Sequence, residues 1–165
     1  MKGILAITLI ILIAGCEAQQ TMKLTSNAFQ NNGKIPDRYT CKGENINPKL
    51  AIADMPAGTK SMVLIMNDPD APAGTWDHWI VFNIPAISDI AENSVPEGAT
   101  QGKNSWGKSG YGGPCPPSGT HRYVFKAYAL DTTLNLSGNA RKQDVEKAMK
   151  GHALAEAKLT GLYSK

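Results

Sequence analysis

Continuous apolar runs, separated by loops rich in glycine and proline, predict a protein built mainly from β-strands. The run SMVLIM fills residues 61–66, and a second run fills residues 79–84. A third segment, HRYVFKAYAL at 121–130, carries basic residues on one side and apolar residues on the other. Apolar runs of this length fit central strands that are covered on both faces.

Shorter strand patterns accompany these runs at residues 21–26 and 48–53, and residues 158–163 are expected to return as an edge strand. Strands that follow one another through Gly/Pro loops favour an antiparallel sandwich over alternating strand and helix units. No repeat or low-complexity tract divides the chain, and its 165 residues suffice for one domain with a core.

One helix is expected late in the chain. Val145, Ala148, Met149 and His152 recur at the spacing of a single helical face, and Gly151 is placed to end or kink the helix. On this face His152 is expected in the core or at an interface rather than in a binding site.

The N-terminus is typical of an export signal. Residues 4–14 form an apolar segment that is too short to span a bilayer of ~30 Å at ~1.5 Å per residue. The following sequence, IAGC at 13–16, resembles the lipobox of bacterial lipoproteins, in which the cysteine is lipidated and becomes the first mature residue. An ordinary secretory signal is the alternative. The predicted organisation is a lipoprotein signal peptide at 1–15, a short lipidated tether at 16–21 and one domain at 22–165.

Lipidation of Cys16 would anchor the protein in the bacterial cell envelope, on the periplasmic side. Glu17 is not the aspartate that accompanies inner-membrane retention, which favours the outer membrane. Cys41 and Cys115 remain as a pair, and an oxidising compartment favours a disulfide between them. Two free buried thiols are the alternative.

The charge of the chain gives no support for nucleic acid binding. Seventeen basic and 14 acidic residues leave a net charge of +3, and no basic run is present.

Two polar clusters carry the candidate chemistry. In NDPDAPAGTWDHW, Asp68 and Asp70 precede His78, and in GYGGPCPPSGTHRY a glycine- and proline-rich loop precedes His121. Two of the three histidines thus follow similar loops and open apolar strands. If these strands are neighbours, both imidazoles and the two carboxylates meet at one end of the sheet.

Four interpretations of this cluster remain open on the residues alone. The aspartates could cap their own turns beside satisfied histidines. Two histidines and a carboxylate could hold iron or zinc, although no short metal-binding spacing is present. An Asp–His pair could activate water. In an anion pocket, both histidines would donate hydrogen bonds, the aspartates would orient and charge them, and residues 110–116 would supply backbone N–H groups.

The motifs DPDAP, DHWIVFNIP and YGGPCPPSGTHRYVFKAYALD resemble the two signature regions of the phosphatidylethanolamine-binding protein family. The resemblance extends over residues 22–163 and is strongest to the bacterial Raf-kinase-inhibitor-like branch of the YbhB/YbcL type. It implies a mainly β fold, a sandwich of two antiparallel sheets with one or two short C-terminal helices. It also implies a small cavity for phosphate-like groups, including phospholipid headgroups, and a cis peptide at Ala71–Pro72.

The expected function is therefore a lipid-anchored envelope binding protein, not an enzyme, with no cofactor or metal. Its ligand would be a headgroup, a phosphorylated metabolite or an acidic side chain of a partner protein. The alternatives are a regulator of other proteins, such as a protease inhibitor, and a hydrolase using the same Asp/His cluster. Trp106 and Tyr111 could pack the second loop or touch ligand. Carried over from the motifs, the ligand-binding residues are Asp68, Asp70, Pro72, Trp76, His78, Gly112, Gly113, Pro114, His121 and Tyr123.

Overall fold

Nine β-strands and one α-helix form the part of the protein that the computed structural model describes, residues 21–165. A single 3-10 turn covers Asp37–Tyr39 within the same part. The helix α1 spans Lys142–Ala148. The strands are β1 (Lys23–Ser26), β2 (Gly33–Lys34), β3 (Leu50–Ala53), β4 (Ser61–Asp68), β5 (Trp76–Ile84), β6 (Asp89–Ile90), β7 (Thr100–Gln101), β8 (Thr120–Leu130) and β9 (Ala153–Ser164).

The strands form two sheets. One has the order β1-β3-β6 and the other the order β2-β9-β8-β4-β5-β7. All neighbours are antiparallel except the short β2, which runs parallel to β9. The predicted mainly β fold with two sheets is confirmed. A single short helix accompanies the sheets in residues 21–165, and it precedes β9 instead of ending the chain.

The larger sheet is covered on both faces, which explains the continuous apolar runs. All eight residues of β4 are buried. Met62, Leu64 and Met66 face the core between the two sheets, whereas Val63 and Ile65 face a second core on the other side. A strand with apolar neighbours on both faces has no solvent-facing position, so polar residues do not alternate along it.

The second core lies under α1. Val145 is fully buried there with Leu130 and Leu134, and the carboxylate of Asp144 accepts a hydrogen bond from the N–H of Arg141 at the start of the helix. His152 lies beyond this helix and is exposed beside Asp131, with 2.8 Å between Nδ1 and Oδ1. His152 is therefore not a core residue as one expectation had it, because the helix ends before reaching it.

Three adjacent strands position the polar cluster. Asp68 ends β4, and β5 and β8 flank β4 on its two sides. His78 is the third residue of β5, and His121 is the second residue of β8. The strands of the two histidines are therefore not direct neighbours, and a carboxylate lies on the strand between them.

Candidate functional site

The histidines of β5 and β8 line one cavity of about 380 Å³ at this end of the larger sheet. We refer to it as the His78–His121 cavity. Two histidines and one carboxylate provide its polar groups, and tryptophan, proline and alanine side chains provide most of the rest. Its lining residues are Asp68, Ala71, Pro72, Ala73, Trp76, His78, Trp106, Cys115, Pro117 and His121.

Asp68 and His121 form a buried pair in this cavity. The Nδ1 of His121 donates to Oδ2 of Asp68 over 2.7 Å, and the two residues are only 7% and 3% exposed. The other oxygen of Asp68 accepts the backbone N–H of Asp70 at 2.8 Å. Because both carboxylate oxygens are occupied, Asp68 holds the imidazole in one orientation and leaves its Nε2 for a further partner.

His78 is held differently, without a carboxylate partner among residues 21–165. Its Nδ1 lies 2.6 Å from the carbonyl oxygen of Gly112, which can only accept, so Nδ1 carries a proton. Burial lowers the pKa of His78 below its ordinary value. A neutral imidazole with a proton on Nδ1 has an acceptor at Nε2. The interpretation that both histidines donate to an anion does not fit the neutral form of His78.

The side chain of Asp70 pairs with Arg122, and neither residue lines the cavity. Its carboxylate accepts from the backbone N–H of Arg122 at 2.9 Å and from the guanidinium at 2.9 and 2.6 Å. Hydrogen bonding from the Arg122 side chain lowers the pKa of Asp70 to about 2. The expected role of Asp70 in charging a histidine is replaced by this ion pair, which ties the turn after β4 to β8.

The backbone N–H groups of Gly112 and Gly113 are already used inside the protein. Gly112 donates to the carbonyl of His78 at 3.1 Å, and Gly113 donates to Oδ1 of Asn45 at 2.7 Å. Pro114 is buried, and its carbonyl accepts from Cys41. These three residues do not line the His78–His121 cavity, and the N–H groups of Gly112 and Gly113 are not available to a ligand there.

Close packing explains why residue 112 is a glycine. A Cβ atom on Gly112 would lie 2.6 Å from Cζ3 of Trp106, so any larger residue would push this ring away. Trp106 stands in turn at the edge of the cavity. Its ring packs edge-on against His78, with 5.0 Å between centroids, and against Trp76, with 5.4 Å. Gly112 therefore acts on the site through the position of Trp106.

Trp106 lines the cavity while remaining 46% exposed, and Tyr111 does not line it. The hydroxyl of Tyr111 instead donates to the carbonyl of Tyr39 at 2.8 Å. Of these two aromatic residues, Trp106 lies at the cavity, where a ligand would meet it, whereas Tyr111 packs the loop. In the sequence, Trp106 is an aromatic residue in a glycine-rich loop. This position alone does not distinguish ligand contact from loop packing.

Tyr123 lies beneath the cavity instead of lining it. The residue is fully buried, and its ring packs edge-on against His78 with 5.2 Å between centroids. Its hydroxyl lies near Asp68 and the backbone of Cys115 but makes no well-formed hydrogen bond among the described residues. Burial, followed by the nearby charge of Asp68, raises the pKa of Tyr123, so the residue remains a neutral support for His78.

A disulfide joins Cys41 to Cys115, with the two Cα atoms 5.5 Å apart. Cys115 lines the His78–His121 cavity and also a neighbouring cavity of about 370 Å³, which lies behind Trp106. The bond therefore attaches the glycine- and proline-rich loop to the segment that contains Cys41.

One further expectation concerns a feature that the structure does not contain between Thr21 and Lys165. All peptide bonds in this range are trans, so the expected cis bond at Ala71–Pro72 was wrong.

Within residues 21–165, no three His, Cys, Asp or Glu side chains are grouped so that they could hold a metal ion. No helix there has the length and apolar character needed to cross a membrane. Cys16, the predicted signal peptide and all but the last residue of the predicted tether lie outside the described residues.

Comparison with known proteins finds the same fold and related sequences. A family model for phosphatidylethanolamine-binding protein matches residues 25–164. A UPF0098 protein from Methanothermobacter thermautotrophicus is 53% identical over 148 residues, covering 86% of this chain and 98% of the relative. A UPF0098 protein from Pyrococcus horikoshii is 45% identical and covers 100% of this chain and 91% of its own length.

Two solved structures show the likeness in three dimensions. A phosphatidylethanolamine-binding protein homolog from Chlamydia trachomatis gives a TM-score of 0.85 at 44% identity, covering 88% of this chain and 99% of its own. YbcL of Escherichia coli, described as a member of the mammalian family, gives 0.82 at 33% identity, covering 87% and 98%.

Proposed function

Because the chain belongs to the phosphatidylethanolamine-binding protein family, we propose that its His78–His121 cavity binds an anion with a phosphate or carboxylate group. The protein would act as a binding protein and not as an enzyme. The observation that carries this proposal is the buried Asp68–His121 pair in the wall of an open cavity.

The hydrogen-bonding pattern supports an anion at His121. With Nδ1 committed to Asp68, the Nε2 of His121 is the ring atom left for a ligand. When an anion accepts from Nε2–H, the ring carries both protons, and Asp68 balances its positive charge at short range. Hydrogen bonds to charged groups of this kind contribute about 1.5–3 kcal/mol, which corresponds to a gain in affinity of about 10- to 150-fold.

The neutral His78 adds a preference among anions. Its Nε2 accepts a hydrogen bond, so the ligand that suits both histidines accepts from His121 and donates to His78. Hydrogen phosphate and phosphate monoesters in their singly protonated form have both an anionic oxygen and an O–H group. Sulfate and ionised carboxylates lack the O–H group and would leave His78 without a partner, so we expect them to bind more weakly.

The remaining surface of the cavity suits a small organic group attached to the anion. Pro72, Trp76, Trp106 and Pro117 present apolar surface next to the two histidines. Burying such surface is favourable by about 25 cal/mol per Å². A ligand with a short apolar or aromatic portion would therefore gain affinity over inorganic phosphate.

Titration calorimetry with inorganic phosphate tests the proposal. We expect His121→Ala to lower the affinity by ~10-fold or more, since a charge-assisted hydrogen bond is lost. His152→Ala is a matched control, because His152 also pairs with an aspartate through Nδ1 but is exposed and outside the cavity. Absence of phosphate binding, or equal loss in both variants, would overturn the proposal.

Turnover separates the hydrolase alternative from binding. That alternative uses the same Asp68–His121 pair to activate water. We expect no hydrolysis of p-nitrophenyl phosphate or p-nitrophenyl acetate above background by the wild-type protein. Turnover that disappears in His121→Ala would favour the hydrolase.

We also propose that Cys16 carries the lipid anchor, which would hold the domain on the periplasmic side of an envelope membrane, with the outer membrane favoured. The support is the lipobox-like sequence IAGC after an apolar segment. Labelling of cells with a palmitate analogue tests this. Cys16→Ser is expected to abolish labelling and to release the protein from the membrane fraction, and unchanged labelling would contradict the assignment.

A further inference from the structure

The described chain begins at the end of the domain opposite to the His78–His121 cavity. Thr21 and Met22 line a cavity of about 480 Å³ together with Leu154, Ala155 and Glu156. The last three belong to the start of β9. The first described residues therefore lie beside the beginning of this strand.

Strand β9 runs from that end of the sheet to the other. Near its start, Ala153 pairs with Leu130, and near its end Tyr163 pairs with His121 of the cavity. Ala155 and Tyr163 are eight positions apart, so at ~3.3 Å per residue the strand separates them by ~26 Å. The neighbouring strands agree, since Ser61 pairs with Leu130 at one end of β4 and Asp68 ends β4 at the cavity.

The segment between Cys16 and the domain is shorter than this distance. Residues 16–20 number five, and even a fully extended chain of five residues reaches at most ~18 Å. A lipid on Cys16 therefore holds the Thr21 end of the domain near the membrane. To turn the cavity toward the same surface, the segment would have to run along the whole of β9, which it is too short to do.

We infer that the His78–His121 cavity opens away from the membrane that holds the N-terminus, and that its ligand is a dissolved phosphate- or carboxylate-bearing anion. The headgroups of the anchoring membrane share this chemistry but lie at the other end of the domain. The inference rests on the proposed anion binding and on the proposed anchor at Cys16. It narrows the source of the ligand to the aqueous compartment into which the domain projects.

The tryptophans of the chain allow a direct test of this orientation. All three, Trp76, Trp79 and Trp106, lie on β5 or in the loop beside the cavity. The full lipidated protein would be reconstituted in phosphatidylcholine vesicles that contain a lipid with a nitroxide quencher on its headgroup. We expect the native tryptophan emission to be the same with and without the quencher.

Leu154→Trp provides the matched positive control, because Leu154 is 43% exposed at the Thr21 end. The added tryptophan is expected to be quenched by the labelled headgroups. Strong quenching of the native tryptophans would overturn the inference. Emission from the added tryptophan that is insensitive to the quencher would also overturn it, since the Thr21 end would then not face the membrane.

Titration of inorganic phosphate separates this inference from the proposed function. We expect equal affinity for the protein in detergent and for the protein facing outward on vesicles, with no competition when phosphatidylethanolamine replaces part of the phosphatidylcholine. Competition by the headgroups would overturn the orientation. Failure of phosphate to bind in both conditions would overturn the anion site, whereas the quenching experiment would still report the orientation.

Discussion

At the scale of single residues, burial distinguishes two Asp–His pairs that are chemically the same. His121 and Asp68 have side chains only 9% and 5% exposed, whereas His152 and Asp131 have side chains 48% and 47% exposed. Exposed ion pairs are screened by water and contribute about 0–1 kcal/mol. Only the buried pair keeps a fixed geometry beside a cavity, and this separates a candidate binding residue from a surface contact.

The ion pair between Asp70 and Arg122 predicts an unusually acidic carboxyl group. With Arg122 in place, the pKa of Asp70 is lowered to about 2. In Arg122→Gln, loss of the guanidinium hydrogen bonds should raise the pKa of Asp70 toward its ordinary value. Titration of the carboxyl carbon by NMR measures this, with Arg38→Gln as a control at an ion pair elsewhere. An Asp70 that titrates alike in wild type and Arg122→Gln would contradict the assigned contact.

The buried His78 predicts a loss of stability in mild acid. Its pKa in the folded protein is lowered by burial, so below about pH 6.5 the unfolded state binds more protons than the folded state. The free energy of unfolding therefore falls as the pH falls through this range. His78→Gln lacks this contribution. The free energy of unfolding should therefore fall less steeply with decreasing pH in the variant than in the wild type.

Urea unfolding of both proteins across this pH range provides the measurement. Parallel pH profiles for wild type and His78→Gln would show that His78 titrates alike in the folded and unfolded states. The direction assigned to its pKa would then be incorrect.

At the scale of elements, the loop at residues 111–117 supports the cavity, and the N–H groups of its Gly112 and Gly113 are bonded within the protein. The disulfide, the Asn45–Gly113 hydrogen bond and the Tyr111–Tyr39 hydrogen bond all attach it to residues 39–45. These contacts fix the residues that flank the cavity wall at Cys115. A loop that is already ordered loses little conformational entropy when ligand binds.

Removal of the disulfide is predicted to cost both stability and affinity. The bond closes a separation of 74 residues, for which the chain-entropy relation gives about 4 kcal/mol of stabilisation. The double variant Cys41→Ala/Cys115→Ala should lower the free energy of unfolding by about this amount and weaken phosphate binding through a looser loop. Reduced wild-type protein should behave like the variant in urea unfolding. Unchanged stability in both would contradict this account of the loop.

At the scale of the whole molecule, the order of the strands explains what the sequence could predict. The apolar runs of β4, β5 and β8 marked them as central strands, because both faces of the larger sheet are covered. The two loops that precede His78 and His121 marked one end of that sheet. The residue types and their order along the chain were sufficient to predict the central strands and the end of the sheet that carries the site.

The partners of individual polar groups could not be predicted in the same way. Whether Asp70 meets a histidine or Arg122 depends on the register between β4 and β8 and on which face each side chain takes. The N–H groups of Gly112 and Gly113 looked available because their acceptors, His78 and Asn45, lie far away in the sequence. Such contacts are set by tertiary packing, which a local pattern does not contain.

The central claim is that an anion binds at the Nε2 of His121, and the ring-nitrogen NMR signals of His121 test it most directly. Titration with inorganic phosphate should shift the His121 signals in a saturable manner toward those of a doubly protonated ring. The signals of His152, which has the same kind of pair in solvent, should stay in place. Unmoved His121 signals at phosphate concentrations that saturate calorimetry, or equal shifts in His121 and His152, would contradict the account.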